Sequence, residues 1–221
     1  MQTETLDVIR NFGNINQNLV FRKGNVLRTI ADAKNVLAQA TLDDEFPQEF
    51  GIYDVNEFIG AFNLVEDGEV SYHNDHMGIS NGKSSINYFY SDIEMLTNPP
   101  EKDLVVPNPE VTFTLTQEIL NQLRKASSAL GHKSVVIGNS DKDGLVTLSI
   151  IDPKNSTSNT YTIEVDGTFD EIHANAPRLS INIDNLKLLP GDYTVEVSTK
   201  LISKFTNVSK QLEYWVALEK N

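Results

Sequence analysis

The sequence predicts an α+β protein made of two similar halves. Three observations predict it. Short helical patterns are outnumbered by strand-like runs, the order helix–strands–helix–strands occurs twice, and a proline-rich stretch lies near the middle. That stretch, Thr97-Asn-Pro-Pro-Glu-Lys-Asp-Leu-Val-Val-Pro-Asn-Pro109, holds four of the eight prolines and reads as a semi-rigid connector. The domains expected are therefore 1–98 and 111–221, joined by 99–110.

The first half opens with a helical pattern in which Leu6, Ile9 and Phe12 share a side and Gly13 stops the helix. Leu19–Phe21 is expected to turn through Arg22–Asn25 into Val26–Ile30, with Val36–Leu42 next. A second helix starts at Asp54, which can cap it, with Glu57 at the capping-box position. Its stripe is Val55, Phe58, Ile59 and Phe62, spaced i, i+3, i+4, i+7. Strands at Val70–His73 and Ser85–Ser91 follow, with Asn81-Gly82 as a hairpin turn.

The second half repeats this order. Its helix follows Thr116, with Ile119, Leu123, Ala126 and Leu130 as the stripe and Gly131 as the stop. Strands are expected at Val135–Ile137, Leu145–Ile151 and Thr160–Val165, the last ending at Asp166-Gly167. A helical turn is expected at Asp184–Leu189, and strands Tyr193–Thr199 and Leu212–Glu219 finish the chain.

Composition narrows the function. Apolar residues make up 39% and charged residues 22%, as in a globular protein. There is no cysteine, which excludes disulfides and thiolate metal sites. No stretch approaches the roughly 18–20 apolar residues needed to span a bilayer, and Met1–Phe12 lacks the basic start and apolar run of a signal peptide. Thirty-one acids against 18 bases give a net charge of −13, which argues against tight electrostatic gripping of nucleic acid.

Catalytic and metal motifs fail on inspection. Gly82-Lys83-Ser84 resembles the end of a phosphate loop, but the required first glycine is displaced and a strand follows. His73 and His76 flank Asp75 without a visible third ligand cluster, and His132 and His173 stand alone. Asp141–Gly144 resembles the start of a calcium loop but lacks its later ligands. No nucleophile elbow is present. An enzyme is not expected, nor a metal or any other cofactor.

The helices carry the remaining signal. Gln117, Asn121, Arg124, Lys125 and Ser128 lie on the polar side of one. Asn56, Gly60, Ala61 and Asn63 face away from the stripe of another, and Arg10, Asn11 and Asn14 lie on the first with Asp7. Lys187 falls on the fourth helical segment. These are either ordinary solvated faces or one surface facing a duplex. A protein that encloses DNA needs little affinity for it, and weak contact blind to base sequence permits sliding.

Four strings, in matching order across nearly the whole chain, resemble the sliding clamps of T-even-type phages. They are Arg10-Asn-Phe-Gly-Asn-Ile-Asn16, Gly51-Ile-Tyr-Asp-Val-Asn-Glu-Phe-Ile-Gly60, Leu189-Pro-Gly-Asp-Tyr193 and Tyr214-Trp-Val-Ala-Leu-Glu219. The resemblance implies the DNA-clamp fold and a homotrimeric ring of six domains around duplex DNA. It implies tethering of the replicative polymerase, loading by an ATP-driven clamp loader, and a role in late phage transcription through a sigma factor or co-activator. The place of action would be the cytoplasm of an infected bacterium.

By position, Arg10, Arg124, Lys125 and Lys187 would face DNA. The runs holding Tyr88, Phe89 and Tyr90, and Tyr161 and Ile163, would form the subunit interface, where sheet edges join. Partner peptides would dock against Leu104, Val105, Val106 and Pro107 with Val216 and Leu218. An acidic structural or virion β-protein with no DNA role remains the alternative at this point.

Overall fold

The computed structural model describes residues 1–100, 102, 104–170 and 178–220. His173 and connector residues 101 and 103 lie outside them. The chain divides into two compact units, Met1–Glu101 and Lys102–Asn221.

In the first unit, α1 (Thr3–Gly13) buries Val8, Ile9 and Phe12, with Leu6 half-buried. The apolar stripe is rotated from the one expected, so Asn11, expected on the polar side, is buried too. Strand β1 (Leu19–Phe21) pairs antiparallel with β4 (Phe50–Ile52) rather than turning into its sequence neighbour. All three residues of each strand are buried, so each satisfies its backbone against an equally apolar partner. The neighbour, β2 (Gly24–Ile30), pairs instead with β3 (Val36–Phe46).

Helix α2 (Val55–Leu64) begins where expected. The Asp54 carboxylate accepts the N–H groups of Asn56 at 2.8 Å and Glu57 at 3.2 Å, and the Gln17 amide at 2.8 Å. The bond from Glu57 N–H does most to hold the Asp54 pKa below its ordinary value. Val55, Phe58, Ile59 and Ala61 are buried and Phe62 is half-buried, so Ala61 belongs to the packed side and not, as expected, to the open one. Asp54→Ala is expected to cost about 1 kcal/mol at neutral pH, read as a shift in urea midpoint. Because the folded pKa is depressed, this contribution is lost as pH falls through it, and the two proteins should converge in acid. A gap that persists in acid would contradict the capping account.

Strands β5 (Glu69–Tyr72), β6 (His76–Ser80) and β7 (Ser85–Phe89) form a sheet in that order. Gly82-Lys83-Ser84 lies in the β6–β7 turn, where Asn81 Oδ1 accepts the N–H groups of Lys83 and Ser84 at 3.1 and 2.9 Å. The unit's core is aromatic. The Phe21 ring stacks on Phe50 at 4.6 Å and meets Phe46 edge-on at 4.8 Å, and Phe58 joins them.

The second unit holds β8 (Val111–Leu115), α3 (Gln117–Leu130), β9 (Ser134–Asn139), β10 (Leu145–Ile151), β11 (Tyr161–Phe169), β12 (Ser180–Asn182), β13 (Tyr193–Ser198), β14 (Ile202–Asn207) and β15 (Leu212–Ala217). Its strands run β12-β9-β10-β11-β8-β13-β14-β15. Thr116 caps α3 by accepting the Ile119 N–H at 3.2 Å, and Gly131 ends it at φ +72°. Leu120 and Leu123 are the buried residues of α3, with Ile119, Ala126 and Leu130 half-buried; the expected stripe omitted Leu120.

Two further expectations are corrected. Strand β11 does not end at Asp166-Gly167. It runs on because Gly167 lies so close to β8 that an added Cβ would meet the Thr112 carbonyl at 2.5 Å. The expected helical turn at Asp184–Leu189 is a 3-10 turn over Ile183–Asn185 only. Beyond it Leu186 and Leu188 are buried while Lys187 is exposed, an alternation of period two. Lys187 therefore lies past the 3-10 turn, where its N–H donates to the Asn185 carbonyl at 2.9 Å, and not on a helix.

Candidate nucleic-acid interface and assembly edges

In the second unit, the C-terminal half of α3 and the segment through Lys187 enclose a groove of about 500 Å³. Arg124, Lys133, Lys187 and Asp184 line it, three cations to one carboxylate. The Arg124 guanidinium donates to the Leu186 carbonyl at 2.7 Å, and partial burial pulls its pKa below the ordinary value. Arginine nonetheless stays charged at any working pH. Lys133 pairs with Asp184. The structure thus brings together two of the expected DNA-facing residues, Arg124 and Lys187. Lys125 is exposed on α3 but does not line the groove. Arg10 lies on α1 in the first unit, paired at 2.7 Å with Asp7, so its field is largely offset. Sequence reasoning missed Lys133, which follows the helix stop Gly131 by two residues. That proximity was the available signal.

The string Leu189–Tyr193 holds this groove in shape. The Tyr193 hydroxyl donates to the Leu189 carbonyl at 2.6 Å, and the Leu189 N–H donates to the Tyr214 oxygen at 3.0 Å. Both main-chain polar groups of one residue, Leu189, are thereby satisfied by two fully buried phenols. The same loop grips the start of α3: Gly191 N–H donates to Gln117 Oε1 at 2.9 Å, and Gln117 N–H to Asp192 Oδ1 at 2.8 Å.

Burial pushes the Tyr193 phenol up to about 12 and Tyr214 higher still. A raised phenol pKa gives stability that is intact below the ordinary value of about 10 and lost as pH climbs through the folded one. Tyr193 and Tyr214 are therefore expected to ionise only together with alkaline unfolding. An absorbance titration of all seven tyrosines that finished before near-ultraviolet circular dichroism was lost would contradict this.

Strand β7 is hydrogen-bonded to β6 alone in its sheet. The turn bond from Asn81 N–H to the Ser84 carbonyl sets the ladder's phase. With the register Ile79↔Ile86 and Met77↔Tyr88, the N–H groups of Ile86 and Tyr88 go to β6, and those of Asn87 and Phe89 point away. Tyr88 packs edge-on to Phe58 at 5.2 Å and Tyr90 stacks on Phe50 at 4.8 Å, so both turn into their own unit. Phe89 is 64% exposed. In β11, Leu145–Ile150 of β10 covers one side of Tyr161–Asp166, while β8 pairs only with Gly167–Phe169. Tyr161 donates to Gln122 Oε1 on α3 at 3.0 Å and Ile163 is half-buried. Among the described residues each unit thus offers a stretch of main-chain edge more than a side-chain patch.

Residues 2–95 match the family model described as DNA polymerase processivity factor, and residues 112–220 match the one described as gp45 sliding clamp, C terminal. The chain belongs to the sliding-clamp family. A protein of Vibrio phage KVP40 described as a sliding clamp is 28% identical over 99% of this chain and 98% of its own length. One of Escherichia phage RB69, described likewise, is 27% identical over 99% and 96%. The fold is shared with the crystal structure of proliferating cellular nuclear antigen from Entamoeba histolytica. The TM-score is 0.67 at 14% identity, over 97% of this chain and 94% of that one.

This sliding clamp is a processivity factor for DNA polymerase and not an enzyme. The alternative of an acidic structural protein is set aside. Among the described residues no helix is long and apolar enough to cross a membrane, and no cluster of three or more His, Asp or Glu could hold a metal. His73 and His76 stack at 4.4 Å, with Asp75 bonded to His76 at 2.7 Å.

The clamp's expected peptide-docking residues gather at one end of a hairpin. Ser198 Oγ donates to the Pro107 carbonyl at 2.9 Å, and Leu218 N–H to Leu201 at 3.0 Å, both at the β13–β14 turn. Leu104, Val105 and Pro107 are exposed. Val106, Val216 and Leu218 are buried, so they back this surface and do not face it.

Proposed function

We propose that three copies of this clamp close head to tail into a ring of six domains, with 1–98 and 111–221 as the domains and 99–110 as the connector. The ring encircles duplex DNA without reading its sequence and tethers the replicative polymerase. The observation that carries this reading is the half-paired strand in each unit, β7 and the Tyr161–Asp166 stretch of β11. A head-to-tail contact that joins two unlike edges generates a closed ring when its rotation closes.

Arg10, Arg124, Lys125 and Lys187, joined by Lys133, face the duplex. Few cations suffice because enclosure, not affinity, retains the DNA, and a net charge of −13 then poses no obstacle. Leu104, Val105 and Pro107 receive a partner peptide, and tethering raises the polymerase's local concentration at the primer end. An ATP-driven loader opens and places the ring, and the same surface serves late transcription with a sigma factor or co-activator. These events belong to the cytoplasm of the infected host.

The test compares processive synthesis on primed circular DNA and on linear DNA with free ends, with loader and ATP present. Long products confined to circles are expected. Equal stimulation on both templates would mean ordinary DNA binding and would overturn enclosure.

A further inference from the structure

We propose that Asp184 is a charge brake on the basic groove: by pairing with Lys133 it keeps the groove's hold on duplex phosphates weak, so that the clamp slides. The inference rests on the reading that this groove faces DNA. It gives a carboxylate, not a cation, the task of setting contact strength.

Backbone geometry brings the two side chains together. Strands β9 and β12 run antiparallel with Ser134 opposite Asn182. At the end of that ladder the Ile183 N–H donates to the Lys133 carbonyl at 2.9 Å. Asn182 Oδ1 accepts the Asp184 N–H at 3.0 Å and starts the 3-10 turn. Lys133 is thereby fixed beside the residue that precedes Asp184, and the ammonium and carboxylate pair where they line the groove.

The pair is not a staple of the fold. Its side chains are 65% and 57% exposed, and a pair that exposed adds little to stability. Its effect on the groove is larger. With Asp184 the lining carries a formal charge of +2 in place of +3. An ammonium in contact with a carboxylate presents a dipole to a third charge, and its pull on a phosphate falls off faster than that of an ammonium alone. Arg124 shows the contrast. A neutral carbonyl, that of Leu186, positions its guanidinium and leaves the charge uncancelled. The first unit repeats the Asp184 arrangement on α1, where Asp7 holds Arg10 at 2.7 Å with both side chains about half exposed.

An acid set among phosphate-facing cations costs affinity, because each cation that meets a phosphate gains from counterion release. Where enclosure retains the duplex, that loss is an advantage. Every phosphate contact must break at each step along the DNA, so fewer firm contacts mean less friction.

The test titrates a fluorescein-labelled 20-base-pair duplex (~20 bp, of arbitrary sequence) with the whole chain, followed by anisotropy between about 50 and 200 mM salt. Asp184→Asn is expected to bind about tenfold tighter than the wild type at about 50 mM salt, with a log–log salt slope steeper by about 0.9 per groove engaged. It should melt within about 3 °C of the wild type, as loss of an exposed pair allows. Adding Lys133→Gln to Asp184→Asn should cancel the gain. Glu213→Gln is the matched control. It releases Lys204, paired at 2.7 Å across β14 and β15, and neither residue lines the groove. Salt screens charges that do not meet the duplex, so this variant should stay within about twofold of the wild type. The brake is overturned if Asp184→Asn binds like the wild type, if the gain survives loss of Lys133, or if Glu213→Gln gains equally. The comparison of circular and linear templates reports enclosure separately. Should it fail while Asp184→Asn still binds tighter, the ring would fall and the brake would stand.

Discussion

Phe21→Ala is expected to destabilise the first unit by about 4 kcal/mol, the range for emptying a fully buried aromatic position. Phe21 is 0% exposed and touches Phe46, Phe50 and Phe58, which come from two strands and α2. Their rings pack at the stacked and edge-on separations that add to simple burial. Truncation therefore leaves a cavity that no single neighbour can close. The readout is urea unfolding monitored by circular dichroism. A loss below about 1 kcal/mol would mean that the cluster relaxes freely, and the packing account would fail.

The second large effect concerns assembly. Asn87→Pro is expected to weaken self-association at least tenfold, about 1.4 kcal/mol, while leaving the fold near wild-type stability. The reason is the ladder's phase: the Asn87 N–H points away from β6, and proline is tolerated where an edge strand donates to nothing in its own sheet. Tyr88→Pro supplies the contrast. It removes a donor directed at β6 and should damage the hairpin itself. Sedimentation velocity with a melting curve separates the two. If Asn87→Pro melted early like Tyr88→Pro, the assigned phase would be wrong. If it folded and associated normally, β7 would not be the subunit edge.

The helices were the most legible part of the sequence, because their signals are local. Asp54 and Thr116 cap as their side chains dictate, and Gly131 stops α3. The rotation of each stripe was less legible, since it is set by what the helices pack against far along the chain, β3 and α2 for α1 and β10 for α3, and there Val8 and Leu120 are buried. Strand pairing was harder again. Nothing between Leu19 and Ile30 announces that β1 seeks Phe50–Ile52, some thirty residues on. Strands β4, β6, β8, β12 and β14 were not anticipated. His76–Ser80 lacks the β-branched, alternating pattern that marks a strand, and Ile202–Asn207 mixes Ser, Lys, Thr and Asn with its two apolar residues.

The basic groove was half legible. Arg124 was visible as a helical residue free of acidic neighbours, but Lys187 was assigned to a helix that ends at Asn185, and Lys133 was overlooked. What assembles the three cations is a loop whose shape depends on two phenols meeting the backbone of one residue, Leu189, a tertiary fact with no periodic trace. The four family strings partly explain themselves in this light. Leu189–Tyr193 is an anchor for that loop. In Arg10–Asn16, Gly13 allows α1 to lie against α2 so closely that an added Cβ would meet Val55 at 2.6 Å.

The continuation of β11 past Gly167 has a mechanical consequence. One strand is zipped to β10 along its first two-thirds and to β8 along its last residues. A pull on its outer margin is therefore shared between two groups of strands, β9 with β10 on one flank and β8 with β13 on the other. The two groups are therefore spliced through β11, and a β11 that parted from either partner would divide this run of strands in two.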